Sequence, residues 1–133
     1  MVVGIGTDIL RSGQIKPLCL EQEDPFLLQT YTENERKEAQ KRTDMYSYFC
    51  TRFAGKEAVF KSLNINGDFI RLNEIEILTK ENGQPSVVLY GKVKKLAEAG
   101  GIRKVMVSLS YDTDYYMAFA VAETEEMEKI DHE

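Results

Sequence analysis

Three charged side chains in the stretch RFAGKEAVFKSL, residues 52–63, could act on phosphates, although their positions on a helix are unusual. At about 100° per residue, the apolar side chains of this stretch form one stripe that would face a protein core. Lys56 falls inside the stripe, and Glu57 lies at its border with Lys61 one turn further on. A charge beside an apolar stripe loses hydration, so these groups need partners from elsewhere in the fold. The long stem of Lys56 could lie on apolar surface while its amine reaches a polar rim.

Asp8, in the N-terminal stretch MVVGIGTDIL, is the candidate partner of Glu57. The stretch predicts a strand that runs into a turn near Asp8, where a side chain can enter a cleft. Taken alone, Asp8 fits a turn or cap residue, and Glu57 fits a simple helical pair with Lys61. If Asp8 and Glu57 meet, two carboxylates without histidine or thiolate form a hard-oxygen site suited to Mg²⁺, completed by water and substrate phosphates. Arg52, Lys56 and Lys61 would then surround the phosphates with positive charge, as in phosphoryl transfer.

The composition excludes several other kinds of site. The single histidine, His132, is next to the C-terminal residue, so no histidine base is available to make a serine-hydrolase triad with the SLS of residues 108–110. The GIG of residues 4–6 lacks the third glycine and the helix start of a dinucleotide fingerprint. Cys19 and Cys50 have no metal-ligand spacing, and we expect both to be reduced packing residues.

Length and charge limit the architecture and the partners. The 133 residues, 43% of them hydrophobic, can form one core, so we expect a single domain over residues 1–123 and a charged tail over 124–133. The net charge of −5 argues against nonspecific nucleic-acid binding. The first residues lack a signal-peptide pattern and no apolar run could span a bilayer, so we expect a soluble cytoplasmic protein without a membrane partner.

Periodicity and turn residues predict an α+β fold, a mainly antiparallel sheet packed against one long helix. Thr32 and Glu35 form a capping-box pattern that begins a helix through about Arg42, and RKEAQKR (36–42) fits a solvated helix face or a docking surface. Further elements are short helical pieces between residues 15 and 29, a long helix over 45–63, a hairpin over 75–90, a helix over 92–100, and two antiparallel strands, KVMVSLS and YYMAFAVAE. Ser108 and Ser110 alternate with core positions and are expected to face a rim or cleft.

Taken in order, these stretches resemble the holo-acyl-carrier-protein synthases, the small bacterial type of 4'-phosphopantetheinyl transferase. The resemblance covers residues 2–123 and is carried by GIGTDIL, RFAGKEAVFKSL, the hairpin EIEILTKENGQPSVVLYG and the closing stretch VSLSYDTDYYMAFAVAE. It implies the 4'-phosphopantetheinyl transferase fold and a homotrimer with active sites between adjacent subunits. It also implies that Asp8 and Glu57 come together across such an interface.

The resemblance implies a reaction in which a serine hydroxyl of an apo acyl carrier protein attacks the β-phosphate of coenzyme A. Transfer of 4'-phosphopantetheine then releases adenosine 3',5'-bisphosphate. Asp8 and Glu57 would bind Mg²⁺ at the pyrophosphate, and either of them could act as the general base. Lys61 would stabilise phosphate charge or donate a proton to the departing group. The residues that would line the coenzyme A site are Arg52, Lys61, Gly83, Gln84, Pro85, Ser110 and Tyr111.

This sequence departs from the family pattern at two places. Tyr111 stands where the family usually has histidine, and a neutral phenol cannot carry the charge of an imidazolium, so coenzyme A binding or rate would be weakened. Gln14 stands where an arginine is expected and is followed by acidic residues, so docking of an acidic carrier is weakened or moves to Lys37, Lys41 and Arg42. The alternative function is a catalytically weak relative that binds coenzyme A or a carrier protein without transfer. Neither fatty-acid nor polyketide synthesis is favoured as the pathway.

Overall fold

The structure, a computed structural model, describes residues 1–15, 24–66 and 71–125. It confirms the expected α+β class. The elements in chain order are β1 (Val2–Arg11), α1 (Pro25–Thr30), α2 (Glu33–Gln40), α3 (Met45–Ser62), a 3₁₀ turn (Leu72–Glu74), β2 (Ile75–Thr79), β3 (Pro85–Leu89), α4 (Gly91–Ala99), β4 (Ile102–Tyr111) and β5 (Tyr115–Thr124). Within the described ranges, no helix is both long and apolar enough to cross a bilayer.

The strands form two antiparallel sheets rather than one. The larger sheet has the order β1-β5-β4, and β2 pairs with β3 in a separate hairpin. Helix α3 packs against the inner face of the larger sheet and against β2. The contact is close because both sides carry small residues, with Ala54 and Ala58 on the helix and Ala118, Ala120 and Ala122 on β5, all of them buried.

Strand β1 continues past Asp8, so the expected turn at that residue is wrong. The strand pairs with β5 as far as Arg11, which lies opposite Tyr115. The β5 backbone therefore offers hydrogen-bond partners for three more residues than the sequence suggested, and the chain turns only where Gln14 N–H bonds the carbonyl of Arg11. Asp8 is consequently held in a paired strand, with its side chain on the face turned toward α3.

Helix α2 begins at the cap that the sequence predicts, whereas the cap of α3 is seen only in the structure. The capping box of Thr32 and Glu35 is present, although α2 ends at Gln40 rather than near Arg42, because Lys41 and Arg42 close a tight turn on the carbonyls of Glu38 and Ala39. Asp44 caps α3, whose bounds agree with the prediction to one residue. Of the helical pieces expected between residues 15 and 29, α1 is present from Pro25, and residues 16–23 lie outside the described part of the chain.

Some sequence expectations concern residues beyond the described ranges. Cys50 is buried and free, as expected of a packing residue, whereas Cys19 lies outside the described part of the chain. The expected charged tail covers residues 124–133. The structure describes its first two residues, Thr124, which ends β5, and Glu125; residues 126–133 lie outside the described part of the chain.

The face of the larger sheet turned away from α3 is apolar and exposed. Cross-strand partners share a face, and this one, called the outer face below, carries side chains that are 42% to 61% exposed: Ile5, Ile9, Met106, Met117 and Phe119. Adjacent apolar side chains on three strands form a patch typical of an interaction surface.

Candidate active site

Asp8, Glu57 and Lys61 meet within one chain, where β1 crosses α3. The Lys61 ammonium donates to the carbonyl of Thr7 at 2.9 Å and to Asp8 Oδ1 at 3.3 Å. Burial raises the pKa of Glu57, the negative charge of Asp8 raises it further, and the Lys61 charge opposes both effects. The three charges therefore interact inside a single subunit. The expectation that Asp8 and Glu57 come together across a subunit interface is wrong, because both belong to the same chain where they interact.

Two glycines allow β1 to lie directly on α3. A Cβ atom on Gly6 would lie 2.1 Å from the carbonyl oxygen of Ala58, and one on Gly4 would lie 1.9 Å from that of Ser62. Neither distance is possible for a real Cβ atom, so only glycine permits this approach. Because Asp8 follows Gly6 by two residues on the same strand face, the glycines set its distance from Glu57 and Lys61.

We expect Gly6→Ala to lower the free energy of unfolding by about 1–3 kcal/mol, since the added methyl pushes β1 away from the α3 backbone. Urea unfolding followed by circular dichroism measures the change. Gly100→Ala is the matched control, because a Cβ there meets its nearest atom at 3.5 Å. Equal stability of the two variants would contradict the close approach of β1 and α3.

The donor set of Asp8 and Glu57 fits a hard divalent cation. Both offer carboxylate oxygens, and their charges already repel each other at a half-buried position. A cation between them would remove that repulsion and offset the desolvation of Glu57. Among the described residues no group of three or more histidine, cysteine or acidic side chains could hold a metal, so water and substrate oxygens would complete the coordination.

A second group of expected site residues lies on another side of α3. The hairpin cleft, of about 490 Å³, is bounded by α3, the β2–β3 turn and β4, and its lining residues are Arg42, Arg52, Thr79, Gly83, Gln84, Pro85, Val107, Ser108 and Leu109. The structure thus brings Arg52 together with the turn residues that the resemblance assigned to the coenzyme A site. On helix α3, Glu57 is about 140° around the axis from Arg52. The cleft lining includes Arg52 but none of the three residues of the carboxylate cluster, Asp8, Glu57 and Lys61.

Tyr111 and Ser110 point to opposite faces of β4. Tyr111 is 60% exposed, its ring stacks on Tyr116 with centroids 5.5 Å apart, and it lines a smaller pocket of about 220 Å³ that shares Arg42 and Arg52 with the hairpin cleft. Ser110 lies opposite Met117 on the outer face and lines neither pocket. Ser108, expected at a rim or cleft, lines the hairpin cleft.

Arg52 is held by a buried polar network. Its Nη2 donates to Thr79 Oγ1 at 2.7 Å and to Glu38 Oε2 at 3.2 Å, and its guanidinium carbon lies 4.1 Å from the centroid of the Tyr48 ring. Sequence reasoning missed Glu38 and Thr79. Glu38 lies in the polar run RKEAQKR, and its partner Thr79 is 41 residues away, so no local pattern marks the contact.

Lys56 is not part of the phosphate surroundings, which corrects the expectation from its spacing. Its side chain is fully buried, and its ammonium pairs with Glu35 Oε1 at 2.7 Å. It also donates to the carbonyls of Leu72 and Ile75. Because α2 and the start of β2 bring these partners into the core, the amine has no need to reach a polar rim.

Comparison with known proteins decides the family. The sequence model of the 4'-phosphopantetheinyl transferase superfamily matches residues 4–120. The chain belongs to this superfamily. The holo-[acyl-carrier-protein] synthase of Caldanaerobacter subterraneus subsp. tengcongensis is 36% identical, over 92% of this chain and 95% of the relative. The expected enzyme class, a 4'-phosphopantetheinyl transferase, is thereby confirmed.

Solved structures of similar proteins confirm the fold. The holo-[acyl-carrier-protein] synthase of Neisseria meningitidis superposes on this transferase with a TM-score of 0.81 at 32% identity, covering 93% of this chain and 100% of the other. The corresponding protein of Bacillus anthracis, solved in complex with CoA (3',5'-ADP), gives a TM-score of 0.73 at 26% identity, covering 94% and 99% of the two chains.

Proposed function

We propose that this transferase moves 4'-phosphopantetheine from coenzyme A to a serine of an apo acyl carrier protein and releases adenosine 3',5'-bisphosphate. The observation that carries the proposal is the cluster of Asp8, Glu57 and Lys61, whose carboxylates and ammonium suit a phosphoryl transfer. The relatives named as holo-acyl-carrier-protein synthases support it, as does the B. anthracis relative that binds coenzyme A.

In this reaction the residues of the chain orient and neutralise the phosphates. Asp8 and Glu57 would hold Mg²⁺, which when bound supplies positive charge at the pyrophosphate. Lys61, anchored by the carbonyl of Thr7, directs a second positive charge to the same place. The nucleophile belongs to the carrier protein, so the transferase needs only to position the β-phosphate for attack by that serine.

The transferase would act as a homotrimer, for two reasons. The cluster of Asp8, Glu57 and Lys61 and the hairpin cleft lie on different sides of α3, so a ligand that contacts both fits better between two subunits than within one. The outer face is also apolar and exposed, as expected of a surface that a second copy covers. The interface would then join the carboxylate cluster of one subunit to the hairpin cleft of the next.

We expect light scattering to give the mass of a trimer for the wild type and of a monomer for Phe119→Glu, because a charge at the centre of the outer face cannot be desolvated. Val88→Glu is the matched control, since Val88 is 43% exposed against 44% for Phe119 but lies on the hairpin. The control should stay trimeric and active. A monomeric, active wild type would contradict the shared site.

The function is tested by intact-mass spectrometry of apo acyl carrier proteins incubated with the transferase, coenzyme A and Mg²⁺. The expected result is a mass gain of one phosphopantetheine that a chelator prevents. Coenzyme A binding without any gain over a panel of carriers would instead support the alternative, a relative that binds its ligand without transfer.

A further inference from the structure

The hairpin and the larger sheet lie side by side, yet no backbone hydrogen bond between described residues links β3 to β4. A groove of about 570 Å³, called the edge groove below, is bounded by these two strands and α4. Its lining includes every residue of β3 and residues 102–107 of β4. Neighbouring residues of a strand point to opposite faces of a sheet, so a lining of consecutive residues places the groove along the strand edges.

The two strand edges favour an extended peptide as the occupant of the edge groove. β3 pairs with β2 and β4 pairs with β5, so on the groove side neither backbone has a strand partner among the described residues. A peptide that lies along such an edge can bond the free N–H and C=O groups, the recognition mode called β-augmentation. The half-buried side chains of Val87 and Val105 add apolar surface beside these groups.

The charges of the edge groove select an acidic peptide. Its charged lining residues are four cations and one carboxylate: Lys80, Lys94, Arg103, Lys104 and Glu98. Arg103 pairs with Glu125 at 3.6 Å, whereas within the described ranges none of the three lysines has a salt-bridge partner. The chain as a whole carries a net charge of −5, so this positive surface is a local feature that attracts an anionic segment.

We propose that residues 126–133, called the acidic segment below, lie in the edge groove of their own chain. Glu125, directly before the segment, already pairs with Arg103 of the lining, so the segment begins at the groove. It contains four acidic residues, one lysine and two apolar residues, Met127 and Ile130. When extended it spans about 26 Å, which exceeds the roughly 17 Å of the five-residue β3. Its starting point, charge and length therefore match the groove.

Attachment to β5 favours the acidic segment over a separate partner. A segment tethered beside its site has an effective concentration on the order of millimolar, so a diffusing peptide would have to bind more tightly to displace it. In the groove the segment would brace the hairpin against the larger sheet, two units that share no backbone hydrogen bond in the described structure. The inference goes beyond the proposed reaction and does not depend on it.

Carbodiimide coupling of the full-length protein tests this placement, because the reagent joins only a carboxylate and an amine that touch. We expect links from the acidic segment to Lys94 or Lys104 at least about 10-fold more often than to Lys95, since docking concentrates the carboxylates at the groove. Lys95 is the matched control, being exposed on the same helix but outside the lining. Mass spectrometry of the peptides locates the links. In a mixture of labelled and unlabelled protein, each link should join peptides of one isotope label.

Hydrogen exchange of backbone amides tests the brace. Reversing two charges in the double variant Glu128→Lys with Asp131→Lys should speed exchange of the groove-side amides of β3 and β4 about 10-fold or more, because the strand edges lose a partner. Amides of β1, which pairs with β5, should keep wild-type rates. Lys129→Glu reverses a charge of the other sign in the same segment, and exchange in β3 and β4 should then stay the same or become slower.

Three results would overturn the inference. Equal coupling to Lys94, Lys104 and Lys95 would show that the acidic segment does not occupy the edge groove. Links between peptides of different isotope label would place the segment in the groove of a second copy. Wild-type exchange rates in the double variant would show that another occupant, or none, protects the strand edges.

Discussion

Glu57→Gln is expected to lose at least about 100-fold of the transfer rate, because the proposed cation and its phosphates would lose a direct carboxylate ligand. The amide has nearly the same shape, so the change tests charge rather than packing. The free energy of unfolding, in contrast, should not fall. Burial and the Asp8 charge raise the pKa of Glu57, which means that the fold disfavours its ionised form. The variant should therefore unfold at the same or a higher urea concentration than the wild type.

This combination separates a site residue from a structural one. The rate is measured by the mass gain of the carrier protein, and stability by urea unfolding in the same buffer. Glu98→Gln, which removes an exposed carboxylate on α4, is the matched control and should leave both properties unchanged. A Glu57→Gln variant with wild-type turnover would exclude the proposed metal and phosphate site.

The parts of the fold that the sequence predicts well are those set by local rules. The capping box at Thr32, the length of α3 and the turn of the hairpin each depend on residues close together in the chain, and each agrees with the structure. The end of β1 was missed because it depends on how far β5 extends, and β5 lies more than 100 residues away.

In the candidate site, too, the sequence predicts the residue types but not their partners in the fold. The residue types of Asp8, Glu57 and Lys61 indicated phosphate chemistry, and the structure brings all three together. Lys56 is also a lysine and lies on the same helix as Lys61, yet its side chain is buried in the core. Only the partners distinguish the two lysines, because Glu35 reaches Lys56 through α2 whereas Asp8 reaches Lys61 through β1. No spacing along α3 contains that information.

The strongest effect on stability is expected from Lys56→Met, which leaves the carboxylate of Glu35 in the core without its cation. Breaking a buried pair from one side typically costs about 3–5 kcal/mol, a large part of the stability of a small domain. Lys61→Met, the same substitution at a side chain that is 54% exposed, should change stability by no more than about 1 kcal/mol. Urea unfolding of the two variants measures the contrast.

The double variant Lys56→Met with Glu35→Leu tests whether charge is the cause. It should be less destabilised than the sum of the two single changes, because neither partner is left as an isolated buried ion. The double variant should still be less stable than the wild type, since Glu35 also accepts the Ile77 N–H at 2.7 Å and Lys56 donates to one carbonyl in the 3₁₀ turn and to one in β2. These bonds tie the hairpin to α2 and α3. If Lys56→Met were as stable as Lys61→Met, the hairpin, and with it the cleft at Arg52, would have to be held in place by apolar packing instead.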